Sequence, residues 1–75
     1  MKEEILSLLN DVFPAIDFCS SDRLVDDGIL SSLSIVQIVG ELATEYDVSF
    51  SFEDLSPENF NSIDAITALV EKRMK

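Results

Sequence analysis

Residues 24–46 read LVDDGILSSLSIVQIVGELATEY, and the second half of this stretch predicts a helix. Serine is a favoured N-cap residue, so the helix is expected to begin at Ser31-Ser32 and to end near Tyr46. Its apolar residues recur at helical spacing, and the expected inward-facing stripe is Leu33, Val36, Val39 and Leu42, closed by Tyr46. The acidic first half, which contains Gly28, predicts a loop that leads into this helix.

A shorter helix is expected before the loop, from about Lys2 to Phe13. Its apolar residues fall at helical spacing: Ile5, Leu8, Leu9 and Val12. Pro14 ends it, because the residue before a proline is pushed out of helical geometry. The connection that follows, Ala15 to Ser31, is longer than most helix–helix loops, and such loops are usually functional or ordered by their own apolar residues. Six apolar residues are available to anchor it: Ile16, Phe18, Leu24, Val25, Ile29 and Leu30.

The C-terminal part of the chain predicts one short and one longer helix. Residues 48–52 alternate apolar and polar, but no second strand is available to pair with them, so we expect an extended connector whose phenylalanines fill the core. Pro57 favours the first position of a short helical turn. Asn61 or Ser62 then caps a last helix that runs to about Arg73. Its expected apolar face is Ile63, Ile66, Leu69, Val70 and Met74, and the basic residues near its C-terminus, where positive charge suits the helix dipole, are Lys72, Arg73 and Lys75.

These elements predict an all-α fold, a small bundle of three main helices plus one short helix, with a long loop between the first and second helices. The 75 residues suffice for a single domain, 1–75. The apolar fraction of 47% is typical of a folded chain rather than a disordered one.

The chain is strongly acidic, with 5 basic and 15 acidic residues and a formal net charge of -10. We therefore expect no nucleic-acid partner, because phosphate binding needs Lys and Arg to displace counterions. No membrane insertion is expected, since no apolar run is long enough to cross a bilayer. The start, Met1 to Glu4, is too acidic for a signal peptide, and a lone cysteine fits a reducing compartment. These features predict a cytoplasmic protein, and a monomer is the default expectation.

Nothing in the sequence argues for catalysis or a metal site. The chain has no histidine, which removes the usual general base and the commonest metal ligand. A calcium loop centred on Gly28 would place Arg23 at the first ligand position and Ser34 at the last, and neither residue fits. Cys19 is expected to be a small packed residue rather than a reactive thiol.

Residues 24–33, Leu-Val-Asp-Asp-Gly-Ile-Leu-Ser-Ser-Leu, resemble the acyl and peptidyl carrier protein family. In that family an apolar-acidic loop runs into Asp-Ser-Leu at the start of the second helix, and the serine carries 4'-phosphopantetheine. The resemblance covers essentially the whole chain, including the helix order and the long loop. The Gly28-Ile29-Leu30 approach and residues 57–62 look closer to aminoacyl carriers, such as D-alanyl carrier proteins, than to fatty-acid carriers.

The resemblance implies a stand-alone, non-catalytic carrier that holds acyl or aminoacyl groups as thioesters on a phosphopantetheine arm attached covalently to Ser32. Its implied partners act in trans: a phosphopantetheinyl transferase, an adenylate-forming ligase and acceptor enzymes. A helix N-terminus suits the phosphodiester anion of the arm, because backbone N–H groups are unpaired there. Serines at such a position also serve simply as helix caps, and a second hypothesis is an unmodified helical adaptor with a carrier-protein fold.

The sequence departs from the family at two places near Ser32. Ser31 stands where the family has Asp, whose carboxylate helps to present the site to the modifying enzyme, and Asp26 or Asp27 is a candidate substitute. The outer face of the second helix also carries fewer acidic residues than fatty-acid carriers have. We therefore expect docking to rely on apolar contacts and shape more than on salt bridges, with Ile35 exposed. The predicted docking residues are Leu33, Ile35, Asp27 and Glu41.

Overall fold

The computed structural model describes residues 1–74 and contains three α-helices: α1 (Lys2–Val12), α2 (Ser32–Tyr46) and α3 (Ile63–Arg73). Between α2 and α3 lie two 3-10 turns, a first turn at Phe52–Leu55 and a second turn at Pro57–Asn59. No strand occurs in the described residues, so the prediction of an all-α fold is confirmed. The predicted short helix is the second turn, and the first turn was not predicted. None of the helices within residues 1–74 combines the length and apolarity needed to span a membrane.

The helix ends follow local capping signals. Ser31 is the N-cap of α2, and its side chain accepts a hydrogen bond from the Ser34 backbone N–H. Ser62, rather than Asn61, caps α3 and accepts the Ala65 N–H at 3.0 Å. A serine side chain in this position satisfies one of the backbone donors that a helix start leaves unpaired.

The core draws on all three helices, the long loop and Phe60, and α1 packs against α3. Full burial of such a side chain stabilises the fold by about 1.5–3 kcal/mol. The fully buried large side chains are Ile5, Leu9, Phe18, Leu24, Leu30, Ile38, Leu42, Phe60, Ile66 and Val70.

The inward face of α2 differs from the predicted stripe. Ile35, Ile38 and Leu42 are buried, whereas Leu33 and Val36 are 68% and 58% exposed. The buried residues continue at helical spacing to the half-buried Tyr46, and Val39 of the predicted stripe is half-buried. The helix therefore faces the core with Ile35 and Ile38 instead of Leu33 and Val36, and the prediction that Ile35 is exposed is wrong.

Several residues expected inside lie at the surface. Phe52 is 89% exposed, because it begins the first turn instead of extending into the core. Cys19 is exposed in a loop turn, where its backbone N–H donates to Asp17 Oδ1 at 3.0 Å, so the prediction that it is packed is wrong. Met74 follows the last residue of α3 and is 47% exposed. The prediction for Lys75 lies outside the described residues.

An inward-facing ion pair joins the first turn to the end of α3. Asp54 is only 5% exposed, and its carboxylate accepts two hydrogen bonds from Arg73, from Nε at 2.7 Å and from Nη2 at 2.5 Å. Arg73 and the Ser51 N–H together hold the pKa of Asp54 at about 2. Because this pKa is lowered by folding, the stabilising effect is present above the ordinary carboxyl pKa near 3.8 and is lost as the pH falls through about 2.

Candidate functional site

Ser32 is the first residue of α2 and is exposed. The backbone N–H groups of a helix's first turn have no partner within the helix, and the helix dipole adds partial positive charge there. No acidic side chain lies in the first turn of α2. A phosphodiester on Ser32 Oγ would therefore lie in a favourable electrostatic environment.

The two adjacent serines have different roles in the structure. Ser31 Oγ accepts the Ser34 N–H at 3.2 Å and lies 3.2 Å from Ser34 Oγ. Within the described residues, Ser32 Oγ makes no hydrogen bond, so its exposed hydroxyl is not engaged by the protein. The hydroxyl of Ser31 is used to start the helix, and that of Ser32 is not.

The loop that leads into Ser32 is held by Asn61, just before α3. Its side-chain Oδ1 accepts the backbone N–H groups of Val25 and Asp26 at 2.9 and 3.1 Å, and its carbonyl accepts the Leu24 N–H at 2.7 Å. Gly28 then reverses the chain with φ of 80°, which a side chain would strain. Asn61 thus fixes the loop from a position far away in sequence.

Replacing Asn61 with alanine is expected to destabilise the protein by about 1–3 kcal/mol, because the Val25 and Asp26 N–H groups lose their acceptor. The free energy of unfolding from urea denaturation measures this loss. Amide hydrogen exchange should accelerate at Val25. Asn10→Ala is the matched control, since Asn10 is exposed on α1 and a surface change of this kind costs no more than about 0.5 kcal/mol. Equal stability of the two variants would count against this role of Asn61.

An open, mainly apolar groove of about 460 Å³ begins at Ser32. One wall is α2 and the other is formed by the first turn and the residue that follows it. The lining residues are Ser32, Ile35, Val36, Phe52, Glu53, Leu55 and Ser56. Sequence reasoning missed this groove, because it depends on where the first turn lies against α2.

The structure brings only some of the predicted docking residues towards Ser32. Leu33 is adjacent and exposed, and Ile35 lines the groove from a buried position. Glu41 is exposed, but it lies about two and a half turns further along α2 and therefore points to the opposite side of the helix from Ser32. Val36, one turn after Ser32, takes the exposed position that was expected for Ile35.

Asp26 and Asp27, the candidate substitutes for the aspartate that carrier proteins have before their serine, both form hydrogen bonds with other residues. Asp26 accepts a hydrogen bond from Asn61 Nδ2 at 3.2 Å, and Asp27 accepts one from Ser21 Oγ at 2.9 Å. Both carboxylates are exposed and help to order the loop. Across residues 1–74 no group of three or more acidic or cysteine side chains is arranged to hold a metal ion.

Searches against protein-family models, curated proteins and solved structures find no match for this chain.

Proposed function

We propose that this protein is a carrier that holds acyl or aminoacyl groups as thioesters on a 4'-phosphopantetheine arm attached to Ser32. The observation that carries the proposal is the difference between the two serines: Ser31 Oγ caps α2, while Ser32 Oγ is exposed and free at the helix start. The family resemblance of the sequence around Ser32 adds to it. The all-helical fold with a long first loop agrees with the same interpretation.

The modification is a phosphoryl transfer from coenzyme A. Ser32 Oγ forms a bond to the phosphorus that carries pantetheine, the bond to the nucleotide breaks, and adenosine 3',5'-bisphosphate leaves; the hydroxyl proton passes to a base of the transferase. The product is a phosphodiester anion beside the unpaired N–H groups of α2. The thiol at the end of the arm then supplies the thioester chemistry. Residues of this chain hold and present the arm.

The enzymes that act on the arm are proposed to meet an apolar docking surface formed by Leu33, Val36 and Phe52. An enzyme that reaches Ser32 Oγ must cover its neighbours on α2, and these are Leu33 and Val36. Phe52 borders the same groove as Ser32 and Val36. The side chains of Leu33, Val36 and Phe52 are each more than half exposed. The occupant of this surface is therefore the modifying transferase and, in turn, the adenylate-forming ligase and acceptor enzymes.

The alternative is an unmodified helical adaptor that uses the same docking surface. Its support is Ser31, which stands in place of the family's Asp, while Asp26 and Asp27 are committed to the loop. In this case the exposed Leu33, Val36 and Phe52 bind a partner protein and no arm is added.

Incubation with a phosphopantetheinyl transferase and acetyl-coenzyme A separates the two functions. A carrier gains one acetyl-phosphopantetheine group by intact-mass measurement. Neutral hydroxylamine then removes the acetyl group and leaves the arm, because it cleaves a thioester and not a phosphodiester. No mass gain with several unrelated transferases would favour the adaptor.

A further inference from the structure

The first turn carries much of the surface around Ser32 but has few apolar anchors of its own. Phe52 projects from it with 89% of its surface exposed, and only Leu55 is half-buried against the core. A segment with so little apolar burial is drawn from the less stable part of a fold. Polar contacts must therefore determine much of its position.

The principal polar contact is the Asp54–Arg73 ion pair. Asp54 lies in the middle of the first turn and is the one member of it that is buried. Arg73 approaches with two parallel N–H groups, and this bidentate geometry fixes orientation as well as distance. The Ser51 N–H donates to the same carboxylate at 2.9 Å, so the start of the turn is tied to the pair as well.

We propose that Arg73 is a positioning residue for the modification of Ser32, acting through Asp54 to hold Phe52 and the groove wall against α2. This inference rests on the proposed carrier function. Within the described residues, the hydrogen bonds of the guanidinium go to Asp54, so its effect on Ser32 passes through the first turn. Loss of the pair lets the turn move and lowers the fraction of molecules in which the docking surface is complete.

The expected consequence is weaker docking with unchanged chemistry. In Arg73→Met, the KM for the transferase should rise about three- to tenfold, which corresponds to about 0.7–1.4 kcal/mol of lost binding, while kcat stays within about twofold of the wild-type value. Arg73→Lys keeps the charge but loses the bidentate geometry, so it should rescue the KM only in part. Asp54→Asn removes the attraction without leaving an unpaired buried charge, and its KM should rise in the same direction.

Lys72→Met is the matched control. Lys72 is the exposed neighbour of Arg73 on α3, so its loss changes the net charge equally without touching Asp54. We expect its KM to equal that of the wild type. All kinetics are measured well below the unfolding temperature of each variant. Amide hydrogen exchange gives a second readout, since the Asp54 N–H, bonded to the Ser51 carbonyl at 3.0 Å, should exchange at least about tenfold faster in Arg73→Met while Leu9 in α1 stays protected.

Three results would overturn the inference. If Arg73→Met and Lys72→Met have the same KM, Arg73 does not position the docking surface. If exchange accelerates equally at Asp54 and Leu9, the pair serves global stability alone. If the wild-type chain is not modified by any transferase, the proposed function fails and this inference fails with it. If the wild type is modified and Arg73→Met has an unchanged KM, this inference alone fails.

Discussion

Replacing Ser32 with alanine is expected to abolish the addition of phosphopantetheine, whereas Ser31→Ala should still be modified. The structure separates these adjacent residues because Ser31 Oγ accepts the Ser34 N–H and Ser32 Oγ makes no hydrogen bond within the described residues. The measurement is intact mass after incubation with coenzyme A and a transferase. Modification of Ser32→Ala, or its loss in Ser31→Ala at saturating transferase, would contradict the assignment.

Substitutions of Ser31 are also expected to change the stability of the protein, because Ser31 caps α2. Ser31→Ala removes the N-cap of α2 and should lower the free energy of unfolding by about 0.5–2 kcal/mol. Ser31→Asp keeps a capping oxygen, adds negative charge at the helix start and introduces the residue that the carrier proteins resembled by this sequence have before their serine. Its stability should match the wild type, and its kcat/KM for the transferase should be equal or higher. A less stable Ser31→Asp would argue against the cap seen in the structure.

Replacing Ile38 with alanine is expected to lower the free energy of unfolding by about 2–5 kcal/mol, because it leaves a cavity at a fully buried position. Val36→Ala is the matched control on the same helix. Val36 is 58% exposed, so its truncation should change stability by no more than about 0.5 kcal/mol. Urea denaturation of both variants measures the difference. A loss of this size is a large fraction of the stability of a small domain.

The same pair of variants distinguishes the observed face of α2 from the one that the sequence predicts. The predicted stripe places Val36 in the core and does not include Ile38. A larger loss in Val36→Ala than in Ile38→Ala would mean that α2 is rotated away from its position in the structure. Equal losses would mean that the helix is not packed on a single face.

The helix boundaries were predictable because their signals are local. Ser31 and Ser62 each accept a backbone N–H from the residue three positions later. Pro14 and Pro57 restrict the backbone conformation of the residues next to them. The inward face of α2 was harder, because apolar residues occur on both sides of its first two turns. Both stripes, the predicted one through Val39 and the observed one through Ile38, continue to Leu42 and Tyr46, so the spacing of the apolar residues does not choose between them.

The contacts that shape the candidate site could not be predicted from the sequence. Asn61 was expected to be a possible helix cap, and it holds Val25 from 36 residues away. Arg73 was assigned to the helix dipole, and it binds Asp54 across 19 residues. Pairing of this kind follows from how the elements pack. The sequence position of an asparagine or an arginine does not indicate which distant residue it will bind. The exposure of Phe52 depends on the same packing, because the sequence of a connector does not show whether an apolar residue in it faces the core or the solvent.

The most direct test of the central claim is the location of the added group in the wild-type chain. The protein is incubated with coenzyme A and a phosphopantetheinyl transferase, digested and fragmented in a mass spectrometer so that Ser31 and Ser32 fall in different fragment ions. A carrier is predicted to gain one phosphopantetheine per chain, all of it on Ser32. A group on Ser31, or a chain that gains no mass with several transferases, would contradict the claim that Ser32 at the start of α2 bears the arm.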